Sequence, residues 1–178
     1  MKLSMRLSIL IVNWNTRDLL AECLTSIYAN PPECDYEVIV VDNGSADGSA
    51  ALARERYPLA RLIANRDNLG YTRGNNQAIQ ASAGEYVLLL NSDVVILPGA
   101  FDALLREVDA DPRVGATGPM LLNSDGSFQA SYNDFPTLRR EGLALVGPLM
   151  RRWEPYYPSH RPEASRRTRD ADWLGGAC

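Results

Sequence analysis

Apolar runs and helical stretches alternate along the first two-thirds of the chain. Five runs of apolar, partly β-branched residues predict strands, and the fourth run predicts a fully buried strand. The predicted strands lie at residues 7–12, 37–41, 59–64, 85–90 and 114–117. Helical spacing of apolar residues and turn signals predict the intervening helices, at residues 17–29, 48–56, 73–82 and 98–110. This alternation predicts an α/β fold, with a mostly parallel sheet flanked by helices.

Two residues mark where predicted helices begin. Thr16 directly precedes the first helix, and a hydroxyl side chain at that position commonly caps the free N–H groups of the first turn. Pro98 opens the last of the four helices, where its missing N–H costs little. Both residues therefore support the predicted helix boundaries.

The pattern changes after residue 118. Asp125-Gly126 between two short apolar segments predicts a hairpin, and three prolines with several arginines predict a later loop. The predicted elements are hairpin strands at 120–122 and 127–131, a short amphipathic helix at 142–152, a flexible loop near 153–169 and the start of a strand at 172–174. We therefore divide the chain into residues 1–118 and 119–178.

Composition narrows the class of protein. The chain has 178 residues, of which 46% are hydrophobic and 22% charged, so collagen-like, fully disordered and integral-membrane chains are poor fits. The first apolar run stops at Asn13-Trp14-Asn15 without a small-residue cleavage site, which argues against a signal peptide. Three cysteines without a CxxC motif argue against a disulfide framework or zinc site. We therefore expect a cytoplasmic protein.

The charge is unevenly distributed along the chain. Residues 1–138 carry 17 acidic and 10 basic side chains, whereas residues 139–178 carry 5 acidic and 8 basic ones, all of them arginines. We expect no nucleic acid partner for the acidic part. For the arginine-rich segment, one interpretation is a solvated, partly flexible stretch, which the sequence favours. The other is contact with an anionic surface, such as the inner face of the membrane, or with a phosphate-bearing substrate.

Polar clusters follow three of the predicted strands. They lie at residues 13–15, 42–45 and 91–93. In an open parallel sheet, the carboxyl ends of the strands share one edge, and ligands bind there. The sequence therefore predicts one site that all three clusters form together.

Two of these clusters carry carboxylates. Asp42 and Asn43 are typical of turn chemistry, and they also suit a contact to a nucleotide base or ribose; the motif alone favours the turn. Asp93 lies between two apolar runs, where an unpaired carboxylate is costly. It lies too far from Pro98 to cap the following helix. We therefore predict that Asp93 binds Mg²⁺ or Mn²⁺, with phosphates and water completing the shell.

Glycines and amides cluster before and within the third predicted helix, from Asn65 and Asn68 through Gly70 to Gly74 and Asn75. Backbone N–H groups and amides there suit an anion or sugar-phosphate, and they equally suit a loop with a cap. The spacing is neither GxGxxG nor GxxxxGK[ST], so dinucleotide and P-loop sites lose their main support. A single histidine and no GxSxG elbow argue against a hydrolase triad. Trp14 is either a core residue or a stacking platform.

Taken in order, these clusters resemble the family 2 glycosyltransferases with the GT-A fold, especially their rhamnosyltransferase-like branch. The matching stretches are LSILIVNWN at 7–15, EVIVVDNGS at 37–45, NLG at 68–70 with GNN at 74–76, and GEYVLLLNSD at 84–93. The resemblance implies a nucleotide-sugar donor, such as dTDP-rhamnose or a UDP-sugar, and a cell-surface glycan or lipid-linked acceptor. The nucleotide-binding residues that it implies are Val12, Trp14, Asn15, Asp42, Asn43, Gly44, Asn68, Gly70, Asn75 and Ser92.

The resemblance also implies a metal ligand and a place for the catalytic base. Asp93 matches the last Asp of the family's DxD motif, whose first two positions are Asn91 and Ser92 here. The segment DWLGGAC at 172–178 resembles a stretch that precedes the base carboxylate in the family. We therefore expect the base to lie beyond Cys178, and no catalytic residue within the chain. On this basis residues 1–118 bind the donor and residues 119–178 begin the acceptor side.

The implied reaction is a single displacement that inverts the anomeric carbon. The first alternative is a nucleotide-binding module without turnover, which the missing base favours for this chain. The second is a sugar nucleotidyltransferase, which needs a lysine-containing pyrophosphate loop near the N-terminus. Lys2 is the only lysine, so this alternative ranks last.

Overall fold

The structure is a computed structural model that describes residues 5–133, 135, 137–138 and 168–175. It divides into two compact units, with the break after Arg113. The predicted helix at 142–152 and residues 153–167 of the predicted loop lie outside the described residues. Among the residues that the structure describes, no helix has the length and apolar character needed to cross a membrane.

The first unit is an open α/β sheet. Its four strands are all parallel and stand in the order β3-β2-β1-β4, which confirms the predicted fold class. Strands alternate with helices along the chain: β1 (Leu7–Asn13), α1 (Arg17–Ala29), β2 (Tyr36–Asp42), α2 (Ser49–Arg56), β3 (Arg61–Ala64), α3 (Tyr71–Ala81), β4 (Tyr86–Asn91) and α4 (Ala100–Ala110).

Apolar side chains cover both faces of this sheet. The larger cluster joins alternate residues of β1, such as Ile9 and Ile11, to apolar side chains of α1, α2 and α4. The smaller cluster joins Leu10, Ile39 and Val41 to Ala78 of α3. Full burial of one such aliphatic side chain stabilises a fold by about 1.5–3 kcal/mol. The two clusters therefore hold the carboxyl edge of the sheet in place.

Two predicted strands differ from the structure. The fourth strand is not fully buried, because Val87 and Leu89 are 43% and 37% exposed. Only its alternate residues pack against the larger cluster, and β4 lies at an edge of the four-stranded sheet, beside β1. The predicted strand at 114–117 does not form either. Gly115 interrupts that short run, and glycine weakens a strand because it costs more backbone entropy to order.

The second unit contains two small antiparallel ladders. β5 (Leu121–Leu122) and β6 (Phe128–Gln129) form the predicted hairpin around Asp125-Gly126. β7 (Tyr132–Asn133) pairs with β8 (Trp173–Leu174), which contains two residues of the strand start predicted at 172–174.

Candidate functional site

Asn13 and Asp42 form a buried pair where β1 and β2 end. They are register partners, and the residues are 0% and 2% exposed. Asn13 Nδ2 donates to Asp42 Oδ1 at 2.9 Å, and the backbone N–H of Ser45 donates to Asp42 Oδ2 at 3.0 Å. Since a carboxylate only accepts, Asp42 determines which way the Asn13 amide points. Directed donors thus stabilise the buried charge.

Thr16 stands at the N-cap of α1, but its hydroxyl does not cap the helix. The hydroxyl donates to Asn13 Oδ1 at 2.6 Å and lies 2.9 Å from Ser92 Oγ. The N–H of Arg17, the first of the helix, donates to Asp47 Oδ2 at 2.9 Å instead. The predicted capping role of Thr16 is therefore wrong, because its side chain is turned towards Asn13 and Ser92, and Asp47 accepts from the helix instead.

Asp47 is the residue that accepts from the first turn of α1. Desolvation opposes its ionisation, but hydrogen bonds from the Ser49 hydroxyl and from the N–H groups of Arg17 and Ser49 outweigh that effect. Together they hold the pKa of the Asp47 carboxyl below its usual value. A negative charge here also suits the positive end of the helix dipole.

Trp14 and Asn15 lie on the loop between β1 and α1. Trp14 is 54% exposed, so it is not a core residue and its ring is accessible. Asn15 has a left-handed backbone with φ 53°. Its N–H donates to Ser45 Oγ at 2.9 Å, and its Oδ1 accepts from the N–H of Ala46 at 2.8 Å. These bonds join the loops that follow β1 and β2.

Asn43 connects β2 to the loop before α3. Its buried side chain accepts from Asn65 Nδ2 at 2.9 Å and donates to the Gly70 carbonyl at 3.2 Å. The adjacent Gly44 has φ 71°, and a Cβ there would lie 2.9 Å from the Arg66 carbonyl oxygen. Both the left-handed backbone and the close approach therefore require glycine at this position.

Val12 and Asn75 serve the packing of α3. Val12 is half-buried beside the small core cluster, and Asn75 is buried and donates to the Tyr71 carbonyl at 3.2 Å. Asn68 is exposed, and its Oδ1 accepts from the N–H of Gly70 at 2.8 Å, which shapes the turn into the helix.

Asp93 is exposed, just beyond the end of β4. The expected cost of an unpaired carboxylate between two apolar runs does not apply to Asp93, because the residue is exposed; its metal-binding role stays a prediction. Asp93 makes no hydrogen bond or ion pair with the other described residues. The same residues contain no group of three or more acidic, histidine or cysteine side chains that could hold a metal by themselves. Ser92, directly before Asp93, is buried.

The structure thus brings most of the predicted site residues to one edge of one unit, where they fall into two groups. Asp42, Asn43, Asn75 and Ser92 are buried, whereas Trp14, Asn15, Asn68 and Asp93 are exposed. Val12, Gly44 and Gly70 shape the backbone and packing between them.

Three further residues lie at this edge, Asn13, Thr16 and Tyr71, and the sequence assigns none of them to the nucleotide. Asn13 belongs to a predicted polar cluster, and the signal of its role is an amide at the end of an apolar strand. Thr16 carried only the signal of a helix cap. Tyr71 carried no signal; it is half-exposed, and its hydroxyl donates to Asn91 Oδ1 at 3.3 Å.

A parallel sheet whose carboxyl edge carries these polar loops and an exposed carboxylate has the architecture of the GT-A glycosyltransferases. The chain belongs to glycosyl transferase family 2, whose sequence pattern matches residues 8–168. A relative from Mycobacterium tuberculosis, N-acetylglucosaminyl-diphospho-decaprenol L-rhamnosyltransferase, is 38% identical over 160 residues, covering 82% of this chain and 52% of the relative. The poly(ribitol-phosphate) beta-glucosyltransferase of Bacillus spizizenii is 36% identical over 107 residues, which are 57% of this chain and 16% of that protein.

Solved structures share the fold. The mannosyltransferase PcManGT from Pyrobaculum calidifontis, in complex with GDP-Man and Mn²⁺, superposes with a TM-score of 0.60 and 27% identity. The match covers 66% of this chain and 36% of that one. S. aureus TarS 1–349 in complex with UDP-GlcNAc superposes with a TM-score of 0.54 and 23% identity, over 65% of this chain and 38% of that one. The chain spans about half the length of the M. tuberculosis relative.

Proposed function

We propose that this chain is the donor-binding part of an inverting glycosyltransferase that uses a nucleotide-sugar, such as dTDP-rhamnose or a UDP-sugar. The observation that carries the proposal is the arrangement at the carboxyl edge. An exposed carboxylate, Asp93, lies beyond β4, and a buried carboxylate, Asp42, ends β2 in the same sheet. The name of the M. tuberculosis relative supports a rhamnosyl donor and a lipid-linked acceptor.

The nucleoside would bind where the loops after β1 and β2 meet. Trp14 offers an accessible ring on which a base can stack, and such stacking contributes about 1–3 kcal/mol per base in single-strand binding. Asp42 and Asn43 would provide the polar contacts to the base or the ribose. The other residues that we assign to the nucleotide are Val12, Asn15, Gly44, Asn68, Gly70, Asn75 and Ser92.

The chemistry of Asp93 fits a divalent cation. Its carboxylate is exposed and has no hydrogen bond or ion pair among the described residues, so it is available to a hard metal. Mg²⁺ and Mn²⁺ are commonly held by one or two carboxylates together with substrate phosphates and water. The Mn²⁺ in the mannosyltransferase structure supports this assignment. When bound, the cation would neutralise charge on the leaving diphosphate.

We assign no general base to the described carboxylates of the second unit. Asp125 accepts from Ser127, and these hydrogen bonds hold the pKa of its carboxyl below the usual value, which disfavours proton abstraction. Asp172 Oδ2 accepts from the N–H of Phe135 at 2.7 Å. A nucleotide-binding module without turnover is therefore the second candidate. For the transferase, we propose that the protein acts in the cytoplasm, at the face of the membrane that carries the acceptor.

Calorimetric titration of UDP and dTDP, with and without Mn²⁺, tests the donor site. We expect Mn²⁺ to tighten nucleotide binding by wild type, and Asp93→Asn to lose most of that gain. Glu55→Gln is the matched control, because it removes the same charge from an exposed position on α2. Absence of binding in the folded chain under both conditions would refute the donor site. Metal-enhanced binding that Asp93→Asn leaves unchanged would refute the role of Asp93.

A further inference from the structure

Thr16 does not make the hydrogen bonds that a threonine at an N-cap usually makes. A threonine at an N-cap commonly gives its side-chain oxygen to N–H groups of the first helical turn. Here the hydroxyl turns towards Asn13 and Ser92, and Asp47 accepts from the helix instead. A residue that breaks a local rule while another residue takes over its structural task is often placed for function.

The hydrogen bonds around Thr16 have only one consistent direction. Thr16 has a single hydroxyl proton, which goes to Asn13 Oδ1, an oxygen that can only accept. In the 2.9 Å contact between the two hydroxyls, Ser92 must therefore be the donor. Asn13 Nδ2 in turn donates to Asp42 Oδ1. The series of hydrogen bonds therefore runs from Ser92 through Thr16 and Asn13, each donating to the next, and the Asp42 carboxylate is the final acceptor.

This direction determines what Ser92 offers to a ligand. Its proton is used by Thr16, so the Ser92 oxygen has lone pairs left for further contacts and no proton to donate. Ser92 is the neighbour of Asp93, so its oxygen can accept from a donor group of the nucleotide or approach the cation that we assign to Asp93, but it cannot donate to a phosphate oxygen. The negative charge of Asp42 reinforces the polarisation, because successive hydrogen bonds strengthen one another.

We propose that Thr16 is a positioning residue that couples the two ends of the donor site. The hydrogen-bond chain joins Asp42, at the nucleoside end, to the Ser92–Asp93 turn, at the metal end, across the ends of three strands. A ligand that orders either end stabilises the same series of hydrogen bonds. Nucleotide and metal therefore each bind more tightly when the other is present. Such coupling is reciprocal. This inference rests on the proposed function of the site.

Variants of Thr16 distinguish a coupling role from a purely structural role. Thr16→Val keeps the side-chain shape and removes the hydroxyl. The variant leaves Asn13 Oδ1 without its donor, so some loss of stability is expected from either a structural or a coupling role. Only the coupling role predicts that the gain in nucleotide affinity from Mn²⁺ shrinks. Thr16→Ser restores the hydroxyl and should restore that gain.

The test measures the dissociation constant of UDP and of dTDP with and without Mn²⁺, by calorimetry on the 178-residue chain. We expect the affinity ratio to fall about fivefold in Thr16→Val, which is the loss of one hydrogen bond of ordinary strength, and to recover in Thr16→Ser. Thr25→Val is the matched control. It removes a hydroxyl from the same helix, where Thr25 Oγ1 donates to the Ala21 carbonyl at 2.7 Å.

The outcomes distinguish the two proposals. If Thr16→Val keeps the wild-type ratio, the coupling role of Thr16 is wrong and the donor site stands. If wild type binds neither nucleotide under either condition, the donor site is wrong and the coupling fails with it. If Thr16→Val does not fold, Ser92→Ala decides, because it removes the first donor of the chain. An unchanged ratio in Ser92→Ala would overturn the inference.

Discussion

Gly74 of α3 packs directly against Val12 of β1. A Cβ at Gly74 would lie 2.8 Å from Val12 Cγ1 and 3.3 Å from Asn43 Nδ2. The helix therefore approaches the sheet so closely that a Cβ at this position would require Val12 to shift. This approach holds two residues of the candidate site, Val12 and Asn43, against the helix that begins at the site.

Gly74→Ala should destabilise the fold despite the better helix propensity of alanine. The propensity gain is about 1 kcal/mol, and overpacking typically costs about 1–3 kcal/mol. We expect a net loss of about 1 kcal/mol in the free energy of unfolding, measured with urea, and weaker nucleotide binding. Gly115→Ala is the control, since a Cβ there meets no atom within 4 Å. Equal stability of the two variants would contradict the close approach.

Asn13→Asp should be strongly destabilising at neutral pH. It places a second carboxylate against Asp42 in a buried position, where an uncompensated charge costs about 3–5 kcal/mol. The pair would share a proton in the folded state, so the folded pKa of one carboxyl would be raised above its unfolded value of about 4. The loss of stability should therefore grow as pH rises from about 4 to 7.

Urea unfolding at several pH values measures this dependence. Asn123→Asp, in the exposed turn of the hairpin, is the control and should change stability little at any pH. A loss in Asn13→Asp that is equally large at pH 4 and pH 7 would argue against charge repulsion as its cause.

Asp47→Ala should cost about 1 kcal/mol at pH 7, because it removes the acceptor for the first N–H of α1. The folded pKa of Asp47 is lowered, so its carboxylate contributes stability above the unfolded pKa of about 4. That contribution is lost as pH falls through the lowered folded value. The difference between wild type and variant should thus shrink in acid, whereas Glu55→Ala should show little change at either pH.

Removal of the hydroxyl should affect stability differently at Tyr28 and at Tyr57. Their rings stack with centroids 6.1 Å apart. The Tyr28 hydroxyl is buried without a hydrogen-bond partner in the described part of the chain, whereas Tyr57 OH donates to the Ala21 carbonyl at 2.8 Å. Tyr28→Phe should therefore leave stability unchanged or raise it, and Tyr57→Phe should lower it by about 1 kcal/mol.

Ultraviolet titration adds a check on Tyr28. Burial, with a smaller effect of Tyr36, raises the pKa of the Tyr28 phenol to about 12. The folded pKa lies above the unfolded value of about 10, so ionisation of this phenol favours the unfolded state. The free energy of unfolding should therefore fall as pH rises from about 10 to 12. The tyrosine titration curve of Tyr28→Phe should lack the component near pH 12. Its presence in the variant would assign that component to another residue.

Much of the fold follows from local patterns in the sequence. The α/β class, the first helix at 17–29 and the hairpin around Asp125-Gly126 agree with the structure, because strand and helix periodicities and turn residues act over a few positions. The same patterns place polar clusters after β1, β2 and β4. Parallel strands bring their carboxyl ends to one edge, so the sequence also predicts the location of the candidate site.

The contacts within that site depend on the tertiary structure. Thr16 looks like a helix cap in the sequence, yet its hydroxyl meets Ser92, 76 residues further along the chain. The uniformly apolar fourth run predicts burial, but Val87 and Leu89 are partly exposed on the last strand of the sheet. Periodicity specifies which side chains share a face. Only the packing of strands and helices decides which face is covered and which hydroxyl finds which acceptor.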